Sequence, residues 1–420
     1  MKKFMSAFFI LITLFVNAQE ENKFGIRFSG FVKSDIFYDS REVETIREGH
    51  FLLYPLNVKY DKDSADVNAH PSFNMLSIQS RLTGNITAPD VLGAKTSGML
   101  EAEFFGTSNA DINGFRLRHA LVKLNWKSTE LLIGQTWHPM FNSFCFPEVV
   151  SFNTGAPFQP FSRNPQIRLT QSFGNFRMLL AGMAQRDFTS PGPDGPGSKY
   201  IRNTAMPDMH LQVYYRKVNE EKKCEWMFGA GFDYKFLKPR LMTDSSYKTD
   251  QKLGTYAAIA FVKNKNRYLT WKLTGTYGQN LYDLMMLGGY AVKYDTTASN
   301  LARDEKLYTS LDVLSGWIEI YSDIKNFQVG IFGGFTKNMG SMKNIADWNN
   351  SASYFTRGRD ISYIYRISPR VVYNAGKLRF GLEGEYTTAA YGSKINSLGE
   401  VSDLKTVSNI RVLLGVFYFF

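Results

Sequence analysis

The final residues of the chain, 408–420, read SNIRVLLGVFYFF and keep one face apolar along a whole strand. The apolar side chains on alternate positions are Ile410, Val412, Leu414, Val416, Tyr418 and Phe420. Asn409, Arg411 and Gly415 lie between them. A period of two with one apolar face is the signature of a β-strand. Because this strand is long and ends in an aromatic residue, it suits a wall between lipid and a polar lumen, and we expect a transmembrane β-barrel.

The same alternation recurs along the chain and predicts about sixteen strands, an even number as in single-chain bacterial barrels. In the eleventh predicted strand, for example, Trp271 and Leu273 alternate with Lys272 and Thr274. A soluble β-sandwich would also alternate, but it needs a core shared by two sheets and exposes few aromatic bands. The predicted fold class is therefore all-β, a transmembrane antiparallel barrel.

Connections between the predicted strands are alternately short and long. The long ones run approximately over residues 39–72, 138–165, 188–207, 281–306, 338–360 and 388–405. Short periplasmic turns and long extracellular loops are typical of bacterial outer-membrane barrels. One barrel domain, residues 19–420, is expected to fill the mature chain.

The first residues predict export. Lys2 and Lys3 precede an almost wholly apolar stretch at 4–16, and Ala18 offers a small residue for cleavage. This pattern predicts a secretory signal peptide over residues 1–18. The apolar run is about 13 residues, shorter than the ~20 that a membrane-spanning helix needs. We therefore expect the mature chain in the bacterial outer membrane, surrounded by its lipid.

The charge balance favours anions as partners. The whole chain has a formal net charge of +11, and removal of Lys2 and Lys3 would leave +9. A basic balance can indicate nucleic-acid binding. In an exported chain with charges spread over alternating strands, a pore for anions is the better interpretation, and no nucleic-acid partner is expected.

The connection at 138–165 is unusually apolar for an extracellular loop. Its apolar side chains are Phe141, Phe144, Phe146, Val149, Val150, Phe152, Phe158 and Phe161. Since such a loop would be unfavourable in water, we expect it to fold into the barrel and narrow the pore. The alternative is a subunit contact or a receptor-binding patch.

Four blocks of sequence before and after this loop carry a family resemblance. They are EAEFFG at 101–106, FRLRHA at 115–120, LIGQTW at 132–137 and PQIRLTQ at 165–171. In this order they resemble the DcaP-like trimeric outer-membrane porin family, most strongly over residues 81–171. The resemblance implies a homotrimer of sixteen-stranded channels, with an arginine-rich constriction that favours small organic anions, including dicarboxylates.

Alternation also predicts which charges face the lumen. The basic residues on polar faces are Arg27, Lys33, Arg81, Lys123, Arg168, Arg177, Lys235, Lys272, Arg366, Arg370, Arg379 and Arg411. The acidic ones are Asp35, Glu101, Glu103, Glu225, Asp233, Glu319, Glu383 and Glu385. This modest basic surplus predicts a weak anion preference. Arg168, just after the loop, is the first candidate for the constriction. Further candidates are Arg81, Arg366, Arg370, Glu101, Glu103 and Glu148.

Arg116 and Arg118 are constriction candidates whose orientation stays open at this point. The apolar face of their strand continues as Ala120, Val122 and Leu124, and strict alternation would put both arginines on the lipid side. Either a β-bulge re-aims them into the lumen, or they lie above the bilayer in a subunit interface.

The terminal strand also predicts a partner for assembly. With Tyr418 and Phe420 on the lipid-facing side, it resembles the C-terminal signal that the outer-membrane barrel assembly machinery reads in bacterial β-barrels.

Nothing in the sequence predicts an enzyme, a cofactor or a metal site. The five histidines are mostly on separate predicted loops or strands, and there is no glycine-rich phosphate loop or metal-spaced Cys/His cluster. The leading hypothesis is a passive, weakly anion-preferring channel for small hydrophilic solutes. The alternative is a barrel used for surface binding or adhesion, with its pore closed.

Overall fold

The computed structural model describes residues 24–420, so the predicted signal peptide lies outside the described residues. Sixteen strands form one closed antiparallel barrel, which confirms the predicted fold class and strand number. The first strand, β1 (Gly25–Asp39), pairs with both the second and the last, and this pairing closes the barrel.

The remaining barrel strands follow in chain order and each pairs with its neighbours in sequence. They are β2 (Ser72–Leu76 and Arg81–Thr87), β3 (Lys95–Glu103), β4 (Arg116–Asn125), β5 (Thr129–Trp137), β6 (Arg163–Phe173), β7 (Phe176–Met183), β8 (Asp208–Asn219), β9 (Cys224–Leu237), β10 (Leu253–Lys265), β11 (Thr270–Gln279), β12 (Tyr308–Ile324), β13 (Phe327–Ser341), β14 (Ile361–Ala375), β15 (Leu378–Ile395) and β16 (Val401–Phe419).

The long loops carry the other regular elements. These are the short strands Val43–Ile46, Phe51–Pro55, Gly288–Val292 and Tyr354–Arg357, the helices α1 (Lys199–Arg202) and α2 (Ala298–Arg303), and the 3-10 turns Tyr282–Leu284 and Ser351–Ser353. Among the described residues, every helix falls short of the length and apolar character that crossing a membrane requires.

The terminal strand has the two faces that its sequence predicts. Ile410 and Phe420 are about half exposed on the outer wall, at 51% and 48%, whereas Arg411 and Leu413 on the other face are fully buried. Tyr418 lies on the same outer face as Phe420, at 49% exposure. The backbone of Phe420 exchanges two hydrogen bonds with Gly30 on β1. The C-terminal residues therefore form part of the seam at which the barrel closes.

One predicted connection is wrong. The long loop expected at 388–405 is instead a β-hairpin, because β15 continues to Ile395 and β16 begins at Val401. Unbroken pairing from Thr388↔Ser408 to Gly392↔Leu404 holds the hairpin together. The even positions, which carry the outer apolar face of β15 up to Tyr386, continue as Thr388, Ala390, Gly392 and Lys394, while Tyr391 on the other face packs into the buried cluster. A pattern that depends on an apolar outer face therefore stops before the strands do.

Two loops occupy the interior of the barrel. Residues of the loop at 138–165 and of the short strand Phe51–Pro55 belong to one buried apolar cluster with the wall residues Trp317 and Phe332. The inward fold of 138–165 was predicted, whereas that of the first long loop was not. The core of this protein therefore lies inside the barrel, on one side of the lumen.

Candidate functional site

The loop at 138–165 crosses the lumen and is anchored to the wall by buried charges. Glu319 on β12 accepts a hydrogen bond from the backbone N–H of Glu148 at 2.8 Å. It also forms ion pairs with Lys272 at 3.0 Å and Arg370 at 2.9 Å. Lys272 in turn donates to the Phe146 carbonyl at 2.9 Å. This group of side chains fixes the first half of the loop.

A second anchor holds the middle of the loop against the closing seam. Glu383 on β15 accepts the backbone N–H groups of Val150 and Ser151, the latter at 3.0 Å. Lys33 on β1 donates to the Val150 carbonyl at 2.9 Å. Asn153 donates to Glu385 at 3.0 Å. The polar backbone of the loop is thus satisfied by the wall, as burial demands.

Arg366 and Arg370 lie beneath the loops, buried at 1% and 2% exposure. Arg366 donates to the Ala156 carbonyl at 2.9 Å and to the Leu53 carbonyl at 3.1 Å, and its Nε lies 3.4 Å from Glu385. These two candidates hold the loops in place, and open space in the lumen does not reach them.

Open space remains on the other side of the loop, along the wall formed by β1–β8 and by residues of β13–β16 next to the closing seam. Two adjoining cavities of about 710 and 550 Å³ share Lys123, Trp137, Phe141 and Arg168 among their lining residues. We call this combined space the vestibule. Loop residues form one side of it and polar side chains of the wall form the other.

Arg168 faces the vestibule without a partner. Its backbone pairs with Leu132 on β5 and Ala181 on β7, which directs its half-buried side chain into the lumen. Within residues 24–420 its guanidinium makes no hydrogen bond or ion pair, and its Nε is buried without an acceptor. Most other lumen-facing cations are bound to acids. Arg168 is therefore a positive charge available to a solute.

A dense arginine cluster lines the wall beside the vestibule. Glu103, which is fully buried, forms ion pairs with Arg118 at 2.6 Å, Arg116 at 2.8 Å and Arg81 at 3.1 Å. Arg118 also pairs with Glu101 at 2.8 Å. Arg81, Glu101 and Arg118 border the vestibule. These predicted candidates thus lie together, at the edge of the open space.

A β-bulge resolves the orientation of Arg116 and Arg118. The register between β3 and β4 shifts at Glu101 and Ala102, so that one extra residue is accommodated in β4. Before the shift Leu117 points outward and both arginines point inward, and after it Val122 points outward. Of the two alternatives left open by the sequence, the bulge is the one observed.

Sequence reasoning missed the residues that complete this cluster. Arg163, at 1% exposure, pairs with Asp187 at 2.7 Å, and Asp187 also pairs with Arg116 at 3.2 Å. Arg163 was read as part of the loop, but it is the first residue of β6. Strict alternation from Arg168 puts Arg163, five positions earlier, on the opposite face with Ile167, so the hydrophobic pattern carried no signal for its buried position.

Glu148, the one candidate on the loop itself, borders the vestibule. Burial raises the pKa of its carboxyl, but the Lys272 ammonium at 2.9 Å, the Tyr321 hydroxyl and Arg370 together outweigh burial, and the net pKa is below the ordinary value. Glu148 therefore stays ionised and paired, and adds little net charge to the open space.

Comparison with known proteins agrees with a barrel that keeps an open space in its lumen. The family model described as DcaP outer membrane protein matches residues 20–235, just over half of the chain. The chain belongs to the DcaP outer membrane protein family. As a member of this family, it is a porin-type channel protein of the outer membrane. No curated protein matches it by sequence.

Solved structures share the fold of this DcaP family member at low sequence identity. The outer membrane channel DcaP of Acinetobacter baumannii has a TM-score of 0.66 and 16% identity, with 94% of this chain and 97% of that chain covered. The anion-selective porin from Comamonas acidovorans has a TM-score of 0.55 and 12% identity, covering 95% and 100%. A trimer form of OmpT from Vibrio cholerae has a TM-score of 0.53 and 11% identity, covering 94% and 99%.

Proposed function

We propose that this DcaP family member is a passive channel with a weak preference for small organic anions, which pass through the vestibule beside the loop at 138–165. The observation that carries the proposal is the unpaired guanidinium of Arg168 in the vestibule. A guanidinium binds a carboxylate through two parallel hydrogen bonds. Because the vestibule is open, this binding stays weak enough for release, as permeation requires.

The arginine cluster adds to the positive field. Arg81, Arg116, Arg118 and Arg163 are balanced by Glu101, Glu103 and Asp187, which leaves one positive charge in excess. These arginines are already bound to acids, so they act on a solute through their field, whereas Arg168 can contact it directly. Arg177 and Arg379 also line the vestibule without an acid, and they donate to backbone carbonyls and to Asn374 respectively. Small organic acids, including dicarboxylates, fit this arrangement of cations with and without an acid partner.

We propose further that the protein assembles as a homotrimer through the outer wall of β1–β5. Outward positions there include the small residues Gly84, Gly98, Ala102 and Ala120, which would let a second barrel approach closely. On β9 and β13 the outward rows have one small residue each, Ala230 and Gly333, between larger ones such as Phe228 and Phe335. Mass photometry of the detergent-solubilised protein tests the number of subunits.

We also propose how the chain matures. Residues 1–18 would be removed on export, residues 19–420 would form the single barrel domain, and the assembly machinery would recognise the strand that ends in Phe420. The barrel would then sit in outer-membrane lipid as a channel, with no catalytic step.

Single-channel recording of the purified protein in a planar bilayer tests the function. We expect stable conductance, and reversal potentials in a salt gradient that indicate a modest anion preference. Cation selectivity would overturn the proposed role of Arg168. A complete lack of conductance would instead favour a closed barrel used for surface binding or adhesion.

A further inference from the structure

A buried cluster of one histidine and two carboxylates lies at the base of the loop at 138–165, apart from the vestibule. His138 begins the loop, Asp208 begins β8, and Asp233 lies on β9. Their exposed fractions are 0%, 0% and 2%. His138 Nε2 is 3.5 Å from Asp233 Oδ2 and 3.8 Å from Asp208 Oδ2. One nitrogen or oxygen of each residue lies within 4.8 Å of the others.

The polar atoms of this cluster lack partners. Both carboxylate oxygens of Asp208 and the Nε2 of His138 are buried and make no hydrogen bond within residues 24–420. Buried polar groups are nearly always satisfied, and an exception indicates a missing water or ion. An unpaired buried carboxylate is especially unfavourable. Asp208 therefore requires a partner.

Lys235, the cation beside this cluster, already has another partner. Lys235 forms an ion pair with Asp283 at 2.6 Å, and Gln185 donates to the other oxygen of Asp283 at 2.9 Å. In the described part of the chain, the ion-pair contacts of Asp208 and Asp233 involve only the imidazoles of His138 and His210. Among the described residues no lysine or arginine is within 4.0 Å of either carboxylate, and Lys235 acts on both only from a greater distance.

We propose that His138, Asp208 and Asp233 bind a divalent transition-metal ion such as Zn²⁺. Two ligands about 2.1 Å from such an ion, at angles of about 90° to 110°, lie about 3.0 to 3.4 Å apart. The observed separations of 3.5 and 3.8 Å need only a small contraction. An imidazole nitrogen with two carboxylate oxygens is a ligand set that zinc accepts, with water completing the shell.

Neighbouring groups orient the ligands. His210 Nδ1 lies 3.2 Å from Asp233 Oδ2, a contact of the kind that holds metal-binding carboxylates in place. His138 Nδ1 accepts a hydrogen bond from the backbone N–H of Met140 at 3.2 Å, which favours the tautomer with its proton on Nε2. Metal binding at Nε2 moves the ring proton to Nδ1, so this contact to Met140 must lengthen when the ion binds.

The ion would tie the loop to the wall. The backbone N–H of His138 bonds the Ser162 carbonyl at 3.0 Å, so the two ends of the loop meet at this residue. Asp208 and Asp233 lie on β8 and β9, which are adjacent in the barrel wall. A metal bridge between them fixes the base of the loop independently of the anchors around Glu319 and Glu383.

Zinc binding to the full-length mature protein tests the proposal. The protein is purified without a polyhistidine tag, stripped with a chelator, dialysed against Zn²⁺ and analysed by inductively coupled plasma mass spectrometry. We expect about one zinc per chain, and at least about tenfold weaker binding for Asp208→Asn. His50→Asn is the matched control, because His50 is equally buried and 2.7 Å from Asp35, but Asp35 also pairs with Lys33. Its zinc content should match the wild type.

Zinc-edge X-ray absorption of the wild type identifies the ligands of the bound zinc, and it does so even if a variant folds poorly. One imidazole nitrogen with oxygen ligands supports the site. A spectrum without imidazole, a zinc content far below one per chain, or equal binding by Asp208→Asn would overturn it. If zinc is not bound and Asp208→Asn stabilises the protein, a proton shared by the two carboxylates is the partner instead.

Discussion

The two sides of the lumen use the same residue types in opposite ways. On the filled side, Lys272, Glu319 and Arg370 are at most 2% exposed and are paired with each other beneath the loop at 138–165. On the open side, Arg168 has neither a hydrogen bond nor an ion pair among the described residues. The charges that the loop covers therefore stabilise the fold, whereas a charge that the loop leaves uncovered remains available to solutes.

Solvation explains the contrast. Removing one member of a buried ion pair leaves an uncompensated charge, at a cost of about 3–5 kcal/mol. The filled side must therefore pair its charges before the loop can lie on them. Where the vestibule keeps water beside the wall, a guanidinium can stay unpaired at little cost. Changes on the two sides should accordingly affect different properties.

The largest effect is expected from a charge removed on the filled side. Glu319→Gln leaves Lys272 and Arg370 without their shared acid, and should lower the free energy of unfolding by about 3–5 kcal/mol. Urea unfolding of the folded protein in detergent, followed by its heat-modifiable mobility, measures this. Asp194→Asn, which breaks the exposed pair with Lys199, should leave the midpoint unchanged. An unchanged midpoint for Glu319→Gln would contradict the claim that the paired charges of the filled side stabilise the fold.

The matching change on the open side should alter selectivity and leave stability alone. Arg168→Glu replaces the free cation of the vestibule by an anion, so the reversal potential in a salt gradient should move toward cation preference. Arg267→Glu makes the same charge change on an exposed turn outside the lumen and is the control. If both variants behave alike, Arg168 does not contact the permeating ions.

A smaller effect should follow from a change at the seam between β1 and β16, whose inner face borders the vestibule. Phe420→Ala removes an aromatic side chain from the outer face of the last strand while the backbone bonds to Gly30 can still form. We expect less assembled protein in the outer membrane with normal export. Immunoblots of outer-membrane and periplasmic fractions measure both, and normal levels of folded protein in the outer membrane would argue against an assembly signal here.

The smallest and most local test compares the two cysteines, which are both free thiols. Cys145 lies in the loop at 1% exposure, and burial raises the pKa of its thiol to about 11. At pH 8 its thiolate fraction is therefore low, and maleimide should label the partly exposed Cys224 first. In Glu319→Gln the loop should loosen and Cys145 should become reactive. Rapid labelling of Cys145 in the wild type would mean that the loop is not firmly docked.

The barrel could be predicted from sequence because its signal repeats. In each strand the side chains alternate between lipid and lumen, as they do from Ile410 to Phe420. Because many strands repeat this pattern, an error in the bounds of one strand does not change the predicted number of strands. Prediction failed where the outer face loses its apolar residues. Beyond residue 388 the even positions of β15 are Ala390, Gly392 and Lys394, whereas Tyr391 on the other face packs into the buried cluster, so the apolar outer row ends although the strands continue.

The site was less predictable because it depends on irregularities and long-range contacts. A single bulge near Glu101 turns Arg116 and Arg118 into the lumen; the hydrophobic pattern showed a conflict there but could not choose between a bulge and a subunit interface. The cluster of His138, Asp208 and Asp233 joins three separate segments. Arg168 was placed on a lumen-facing position by alternation alone, but its lack of a partner depends on where the loop's own acids lie.

The seam between β1 and β16 has a consequence for the order of events during biogenesis. The middle of the loop is held by Lys33, from the first strand, and by Glu383, from the next-to-last. Its docking surface is therefore incomplete until the C-terminal end of the chain has been synthesised and delivered. An unfinished barrel would carry an undocked apolar loop, so a protease that cleaves near Phe146 could distinguish unfinished molecules from finished ones.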